Sequence, residues 1–315
     1  MEENRKMKRF FIKNVTISTI LLVILSLLNI FWLKYSNEGS NMFYNFPKEK
    51  LKVVNVGSSH SRYAIKYPEN ILGNNLALIG QKFYYDYKIL EEYSKYFEDG
   101  CIVIVPISIF SFYDSNEEEE RYIPILKKKN FLKISKLEYF IKKYFSVCNS
   151  IKNMRRNLEY LLHTILNLKI TPKLEYPRNL SLEEKVNEAI KTSKEHLGIG
   201  TSTHIYPKEI GIENLKKIIL YIEENNFIPI LVSTPQSYLY NDRVSLKNYK
   251  ERIYDNLLEV EKLLGKKYTY LDYSHDERFI NNLEYFSDDD HLNEKGAEYF
   301  TEILLADIKK QGYNF

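Results

Sequence analysis

The chain has 315 residues, with 45 Lys or Arg against 42 Asp or Glu, so its formal net charge is only +3. This near balance gives no reason to expect a nucleic-acid partner, and the apolar content of 44% is enough for a sizeable core. The two cysteines, Cys101 and Cys148, are too few and too far apart for a disulfide framework.

A membrane anchor is predicted near the N-terminus. Residues 15–33 read VTISTILLVILSLLNIFWL, close to the roughly 20 apolar residues that cross a hydrocarbon core as a helix. The tail before it, residues 1–14, is basic, and the positive-inside rule places that tail in the cytoplasm. The alternatives are a cleaved signal peptide, although no small-x-small cleavage site follows, or a buried core helix. We expect a single-pass cell-membrane protein whose domain lies outside the cytoplasm.

Short apolar runs alternate with helical patterns after a linker at residues 34–50. The runs predicted to be buried parallel strands are 51–56, 76–79, 101–106, 228–233 and 268–271. Helical spacing is found over 82–97, 208–225 and 246–264. This alternation predicts an α/β domain over 51–315, with a parallel sheet covered by helices on both faces. Ligands of such sheets bind at the carboxyl ends of the strands.

A long stretch at about 114–206 interrupts this alternation and is predicted to be a helical insertion. It contains an acidic run at 117–120, a basic run at 127–129 and helical segments around 136–168 and 181–196. Two interpretations stay open, a cap over the strand ends and a peripheral helical elaboration.

Two short motifs carry the groups needed for serine-based acyl chemistry. Gly57-Ser58-Ser59-His60-Ser61 follows the first predicted strand, where Gly57 allows a sharp turn that exposes the Ser59 hydroxyl. The alternative is that Ser58 and Ser59 only cap the next helix.

The second motif is Asp288-Asp289-Asp290-His291, which precedes a C-terminal helix. His291 is the candidate base, and Asp288, three residues earlier, is the candidate that orients it. Asp290 competes for that role, but its position next to His291 is a poorer geometry for reaching the ring. The alternative is that these aspartates cap the helix that starts near Asn293.

These motifs resemble the first and last sequence blocks of the SGNH (GDSL-type) hydrolase superfamily. Residues 75–81, NLALIGQ, resemble its second block, which implies that the Gly80 amide is an oxyanion donor. The resemblance implies a flavodoxin-like three-layer αβα fold. The Gly-Ser-Ser form with an N-terminal anchor is similar to the membrane-tethered branch of teichoic-acid D-alanyl transfer and polysaccharide O-acetylation proteins.

The third block of that family departs here, because the turn after the third strand, residues 105–111, has no asparagine. Ser108 is the candidate substitute donor, and loss of one such donor costs on the order of 3 kcal/mol. His60, next to the candidate nucleophile, is predicted to bind substrate, although simple packing is an alternative. No metal or other cofactor is predicted, because the histidines show no metal-binding spacing.

The expected function is a serine esterase or O-acyltransferase that acts on a cell-envelope glycan or polyol, such as a surface polysaccharide or teichoic acid. The resemblance implies a multispanning membrane acyltransferase as partner. The rival hypothesis is a non-catalytic scaffold or glycan-binding protein that keeps the fold. Geometry distinguishes the two, since catalysis requires the His291 Nε2 atom about 3–4 Å from Ser59 Oγ. A nucleotide-binding function is disfavoured because no glycine-rich phosphate loop is present.

Overall fold

The computed structural model of the protein describes residues 2–35, 43, 46, 48–131, 133–145, 176–200 and 205–315. Its residues group into two compact units, one over 1–45 and 118–174 and the other over 46–117 and 175–315. Cys148 and the part of the predicted 136–168 helical segment after 145 lie outside the described residues.

The helices and strands have the following bounds. The strands are β1 Leu51–Asn55, β2 Gly73–Asn75, β3 Phe97–Pro106, β4 Ile228–Ser233 and β5 Tyr270–Asp272. The described helices are α1 Glu2–Tyr35, α2 Ser59–Ala64, α3 Phe83–Tyr93, α4 Lys136–Phe145, α5 Leu182–Leu197, α6 Lys208–Glu224, α7 Tyr238–Asn241, α8 Leu246–Tyr249, α9 Asp255–Leu264, α10 Glu277–Ile280 and α11 Glu294–Lys310. A π-helical turn, Lys250–Tyr254, joins α8 to α9.

The first unit contains the N-terminal helix α1, which encloses the whole of the predicted span at residues 15–33. Over Arg5–Leu27 this helix is long and apolar enough to cross a membrane. The hydroxyls of Thr16 and Thr19 donate to backbone carbonyls one turn earlier, at 2.9 Å each. These two hydroxyls are therefore satisfied within the helix, as a lipid environment requires.

The second unit is built on a five-stranded, fully parallel sheet with the order β2-β1-β3-β4-β5. This is the strand order of flavodoxin-like folds, with β1 and β3 at the switch point where ligands bind. The expected α/β fold class is confirmed. Residues 57–61 lie at the carboxyl end of β1, and residues 106–111 lie at the carboxyl end of β3.

The sheet is covered on both faces. The helix α11 packs Phe300, Leu304 and Ile308 against strand residues such as Val53 and Ile104. Because successive strand residues point to opposite faces, the neighbouring buried residues of β1 and β3 face the other layer. There α3 packs on α6, and α6 packs on α9. The Cys101 thiol at the sheet is buried, as predicted.

The strand predictions differ most at β2. The apolar run 76–79 is predicted as the strand, whereas the ladder with β1 is formed by Gly73–Asn75. Beyond that ladder, the Leu76 and Leu78 amides still donate to the carbonyls of Asn55 and Gly57, at 2.8 and 3.0 Å. The apolar residues therefore continue alongside β1 into the turn, while the polar segment before them makes the regular pairing. The predicted run 228–233 coincides with β4.

The predicted insertion, about 114–206, is divided between the units, because residues 118–174 group with the first unit, and residues 114–117 and 175–206 group with the second. In the second unit, α5 begins with a capping box formed by Ser181 and Glu184 and ends at Gly198 in the left-handed region. The Lys185 ammonium donates to the Phe286 carbonyl at 2.6 Å. This bond ties α5 to the loop that precedes residues 288–291.

Candidate active site

Ser59 lies on a sharp turn between β1 and α2, as its first helical residue. The turn depends on Gly57, whose φ is +110°, and a Cβ atom at that position would lie 2.0 Å from Cγ of Pro106. The Gly57 backbone amide donates to the buried Asp86 carboxyl group at 2.8 Å, and the side-chain amide of Gln81 donates to the same oxygen at 2.6 Å. The close approach of β3 and this buried carboxyl group together fix the turn.

The backbone of α2 leaves amides available near Ser59. Arg62 makes the first backbone hydrogen bond of the helix, to the Ser58 carbonyl at 2.9 Å, so the Ser59 amide precedes the first intrahelical bond. Ser58 occupies the N-cap position, but its side chain makes no capping bond. The capping alternative for Ser58 and Ser59 therefore lacks the hydrogen bond that defines a cap.

The structure brings Ser59, His291 and Asp288 together. The Ser59 hydroxyl lies 2.8 Å from His291 Nε2, and His291 Nδ1 lies 2.9 Å from the Asp288 carboxylate. An ionised Asp288 accepts the Nδ1 hydrogen, which leaves Nε2 free to accept from the hydroxyl. This is the geometry of a serine nucleophile, a base and an orienting acid.

The spacing of Asp288 and His291 is explained by a local turn. One oxygen of Asp288 accepts from the backbone amides of Asp290 and His291 at 3.1 and 2.7 Å, which leaves the other oxygen for the imidazole. The helix α11 is instead capped by Asn293, whose side chain accepts from the Gly296 amide at 3.0 Å. The alternative in which the aspartates cap this helix is therefore wrong.

A second carboxylate, Asp290, reaches the same imidazole. Its Oδ1 atom lies 3.0 Å from His291 Nδ1, and its Oδ2 atom lies 2.9 Å from His60 Nε2. His196, from the end of α5, lies 3.8 Å from the same Oδ2 atom, and its Nδ1 atom is 2.8 Å from the Tyr240 hydroxyl. Asp290 is therefore surrounded by three imidazoles. Adjacency in sequence did not prevent it from contacting His291, since the turn at Asp288 directs both side chains to one ring.

The charges of this cluster favour an anionic Asp290 beside His291. Burial disfavours protonation of His291, but the Asp290 charge and the Asp288 hydrogen bond outweigh it and hold the pKa of His291 well above its usual value. Burial also disfavours ionisation of Asp290, yet His291 and His60 hold the pKa of that carboxyl well below its usual value. Burial and the neighbouring aspartates raise the pKa of Asp289 to about 8. Burial lowers the pKa of His196 to about 3.

The remaining predicted site residues have the following surroundings. Gly80 lies in a turn after β2 with φ +62°, and its role as an oxyanion donor stays a prediction. The Ser108 amide donates to the Ser111 hydroxyl at 2.9 Å, and the Ser108 hydroxyl lies 3.3 Å from His60 Nδ1. His60 is 3% exposed and both of its ring nitrogens have partners within the protein. This environment favours a positioning role for His60 over direct contact with substrate.

Sequence reasoning missed three residues of this region. The spacing of Asp290 disfavours it as the residue that orients His291, Asp86 lies within a helix that carries no motif, and His196 lies in the predicted insertion. Only Asp290 had a usable signal, because three successive aspartates before a histidine allow two carboxylates to reach one ring. The positions of Asp86 and His196 depend on tertiary packing that no local pattern encodes.

Two groups of side chains have the composition of a metal site among the described residues. His60, His196 and Asp290 each offer one ligand atom within 4.8 Å of the others, and Asp288, Asp290 and His291 do so as well. Imidazole and carboxylate ligands suit a divalent transition metal. In both groups, however, the same atoms are engaged in the hydrogen bonds described above.

Comparisons with known proteins add a structural likeness. No family model matches the sequence, and no curated protein matches it. The protein is similar to the crystal structure of a proposed acylhydrolase from Bacteroides fragilis NCTC 9343, at 12% sequence identity and a TM-score of 0.42. The match covers 86% of this chain and 94% of that chain.

Proposed function

We propose that the protein is a membrane-anchored serine esterase or O-acyltransferase that works through an acyl-enzyme on Ser59. The observation that carries this proposal is the continuous hydrogen-bond chain from the Ser59 hydroxyl through His291 to Asp288, at 2.8 and 2.9 Å. The first distance lies within the range that catalysis requires, which supports a catalytic protein over a non-catalytic scaffold with the same fold. The resemblance to SGNH hydrolases supports the same chemistry.

The reaction has two steps. Ser59 Oγ attacks an ester carbonyl while its proton passes to His291 Nε2, and collapse of the tetrahedral intermediate releases the alcohol, which takes that proton. Water or an acceptor hydroxyl then attacks the acyl-enzyme, with His291 as base, and Ser59 regains its proton. The Ser59 and Gly80 amides are proposed to stabilise the oxyanion, with Ser108 in the place of the missing asparagine.

The proposed acceptor lies in the cell envelope. The apolar helix α1 supports a single-pass anchor, and the basic residues ahead of it favour a cytoplasmic N-terminus and an extracytoplasmic domain. Such a domain would meet surface polysaccharide or teichoic acid. Acyl donation by a multispanning membrane acyltransferase is part of the proposal by resemblance alone.

Hydrolysis of a p-nitrophenyl acyl ester by the purified full chain in detergent tests the chemistry. We expect Ser59→Ala and His291→Ala each to lower kcat by at least about 10³-fold, because the two groups act as a unit. Ser58→Ala is the matched control for the adjacent hydroxyl and should retain activity within a few-fold. Hydrolysis that persists in Ser59→Ala would exclude the proposed nucleophile.

A further inference from the structure

The short helix α4, in the first unit, exposes three large apolar side chains. Leu137, Phe140 and Ile141 are 69%, 51% and 50% exposed. Their spacing of three and four residues places them on one face of the helix. Large apolar side chains that cluster on an exposed face mark an interaction site, whereas single ones are ordinary on a protein surface.

The opposite face of α4 packs on the segment that precedes it. The Tyr139 hydroxyl donates to the Leu126 carbonyl at 2.5 Å, and the Lys143 ammonium donates to the same carbonyl at 3.1 Å. The Tyr139 ring also lies 6.4 Å from the ring of Phe131, which is fully buried. These contacts fix the rotation of α4 about its axis, so its apolar face is directed away from that segment.

Residues 118–145, to which α4 belongs, carry an excess of positive charge. They contain eight Lys or Arg residues and four Glu residues. Two of the acidic residues are paired locally, Glu119 with Arg121 at 2.6 Å and Glu120 with Lys142. The charge that remains is positive and complements an anionic surface.

Two exposed lysines border the start of the apolar face. Lys133 lies shortly before α4, and Lys136 is its first residue. The stem of a lysine can lie along apolar surface while its ammonium reaches a polar layer. An apolar face flanked by basic residues is the pattern of helices that lie on anionic lipid.

The neighbourhood of α1 favours a lipid surface over a protein as the partner. The helices α4 and α1 belong to the same unit and lie in contact, and α1 carries the stretch Arg5–Leu27 that could cross a bilayer. The ten residues of α4 extend over about 15 Å, half of a hydrocarbon core, so α4 is too short to span. A helix of this length beside a membrane span meets the bilayer at its surface.

We propose that α4 docks on the anionic lipid surface next to α1. Leu137, Phe140 and Ile141 enter the boundary between headgroups and acyl chains, and the neighbouring lysines contact lipid phosphates. So short a helix would bind weakly alone, but the α1 anchor makes docking intramolecular, at an effective concentration of about millimolar. The inference rests on the membrane anchor of the proposed function and is independent of chemistry at Ser59.

Fluorescence of the full chain in vesicles tests this docking. An environment-sensitive NBD label is attached at Ile141→Cys in the Cys148→Ser background, where Cys101 is buried. The vesicles contain phosphatidylglycerol and phosphatidylcholine, with or without a doxyl group on the acyl chains. The matched control is Leu182→Cys, at an exposed apolar position followed by the acidic residues 183–184 of the second unit. We expect doxyl lipid to quench the label at position 141 and not the label at position 182.

Neutral substitutions test the contribution of charge. Lys133→Gln combined with Lys136→Gln should lower the ratio of lipid-exposed to water-exposed label at position 141 by about 10- to 30-fold, because each lysine near an anionic surface contributes about fivefold. Fluorescence lifetimes measure this ratio. Lys216→Gln combined with Lys217→Gln, an adjacent pair on α6, should leave it unchanged. Equal ratios in the two double variants would overturn the assignment to anionic lipid.

Flotation of the unlabelled chain with vesicles after an alkaline wash reports the α1 anchor separately. A chain that does not float would refute the anchor and the docking together. A chain that floats with an unquenched label at position 141 would refute the docking alone. If that label is nevertheless shielded from a water-soluble quencher in native membranes, the apolar face binds a protein, which also overturns the proposal.

Discussion

Three neighbouring aspartates of the site have the same side chain but different hydrogen-bond partners and burial. Asp288 accepts two backbone amides and the His291 ring, Asp290 bridges two histidines, and Asp289 is buried with a raised pKa. The same side chain thus has a raised pKa at Asp289 and a lowered pKa at Asp290, because the surroundings of the two carboxyl groups differ. A sequence shows the three carboxylates but not which oxygen faces which nitrogen.

The pH dependence of activity follows from His291. The base must be neutral to take the Ser59 proton, and burial together with the stronger effect of Asp290 and Asp288 leaves the pKa of His291 above its usual value of 6.5. We therefore expect kcat/KM to rise with pH along a limb whose apparent pKa exceeds 6.5. Initial rates of p-nitrophenyl acyl ester hydrolysis from pH 5 to 9 measure it, and a limb centred at or below 6.5 would contradict this electrostatic account.

Asp86 predicts a pH dependence of stability. Burial raises the pKa of Asp86 from 3.8 to about 7 in the folded chain, despite its hydrogen bonds from Gln81 and Gly57. Between about pH 4 and 7 the folded state therefore retains a proton that the unfolded state releases, so stability is lost as pH rises through this range.

The Asp86→Asn variant removes that ionisation. We compare the free energy of unfolding of the variant with that of wild type at each pH. We expect this difference to favour the variant more at pH 8 than at pH 4, by on the order of 2–4 kcal/mol. Thermal unfolding in detergent at both pH values measures this, with the exposed Asp242→Asn as control. An Asp86→Asn effect that is equal at the two pH values would show that this carboxyl group titrates normally.

At the scale of elements, the strand-turn-helix from β1 to α2 positions the nucleophile. The turn combines a positive φ at Gly57 with the close approach of Pro106. Alanine at position 57 would be strained by the positive φ, and its Cβ atom would overlap with Pro106. We expect Gly57→Ala to lower the free energy of unfolding by about 3 kcal/mol or to displace Ser59 and abolish ester hydrolysis.

Gly265→Ala is the matched control, since Gly265 also has a positive φ of +66° but a Cβ atom there meets nothing within 4 Å. This variant reports the backbone strain alone. Thermal unfolding and ester hydrolysis of both variants separate the two effects. Equal losses in the two variants would mean that Pro106 does not constrain the turn.

The elements themselves could be predicted to very different degrees. The run at 228–233 is bounded by turn residues and coincides with β4, and the helical spacing at 208–225 matches α6 to within one residue. The strand β2 could not be found from hydrophobicity, because its residues are Gly-Asn-Asn. Asn75 is held by side-chain bonds instead, to Asn55 at 2.8 Å and to the carbonyl of Ile65 at 2.8 Å.

The whole molecule contains two parts with different roles. The apolar helix α1 is long enough to anchor it in a membrane, and the parallel sheet carries the candidate site. If α1 spans the membrane with its basic end inside, residues of the sheet unit are outside the cytoplasm. The Lys267→Cys variant, at an exposed position, tests this in a Cys148→Ser background, where Cys101 is buried.

We expect a membrane-impermeant maleimide to label Lys267→Cys in intact cells. The control is Met7→Cys, which lies in the basic tail ahead of the predicted span at residues 15–33 and should be labelled only after the membrane is permeabilised. The reversed pattern would place the sheet unit in the cytoplasm and remove the envelope glycan from the proposed acceptors.

The proposed function requires Ser59 to be an activated nucleophile. The most direct measurement is to treat the full chain in detergent with a fluorophosphonate and to locate the adduct by peptide mass spectrometry. We expect one adduct, on Ser59, that is lost in His291→Ala and retained in Ser58→Ala. A folded wild-type chain without an adduct, or with one on a different residue, would contradict it.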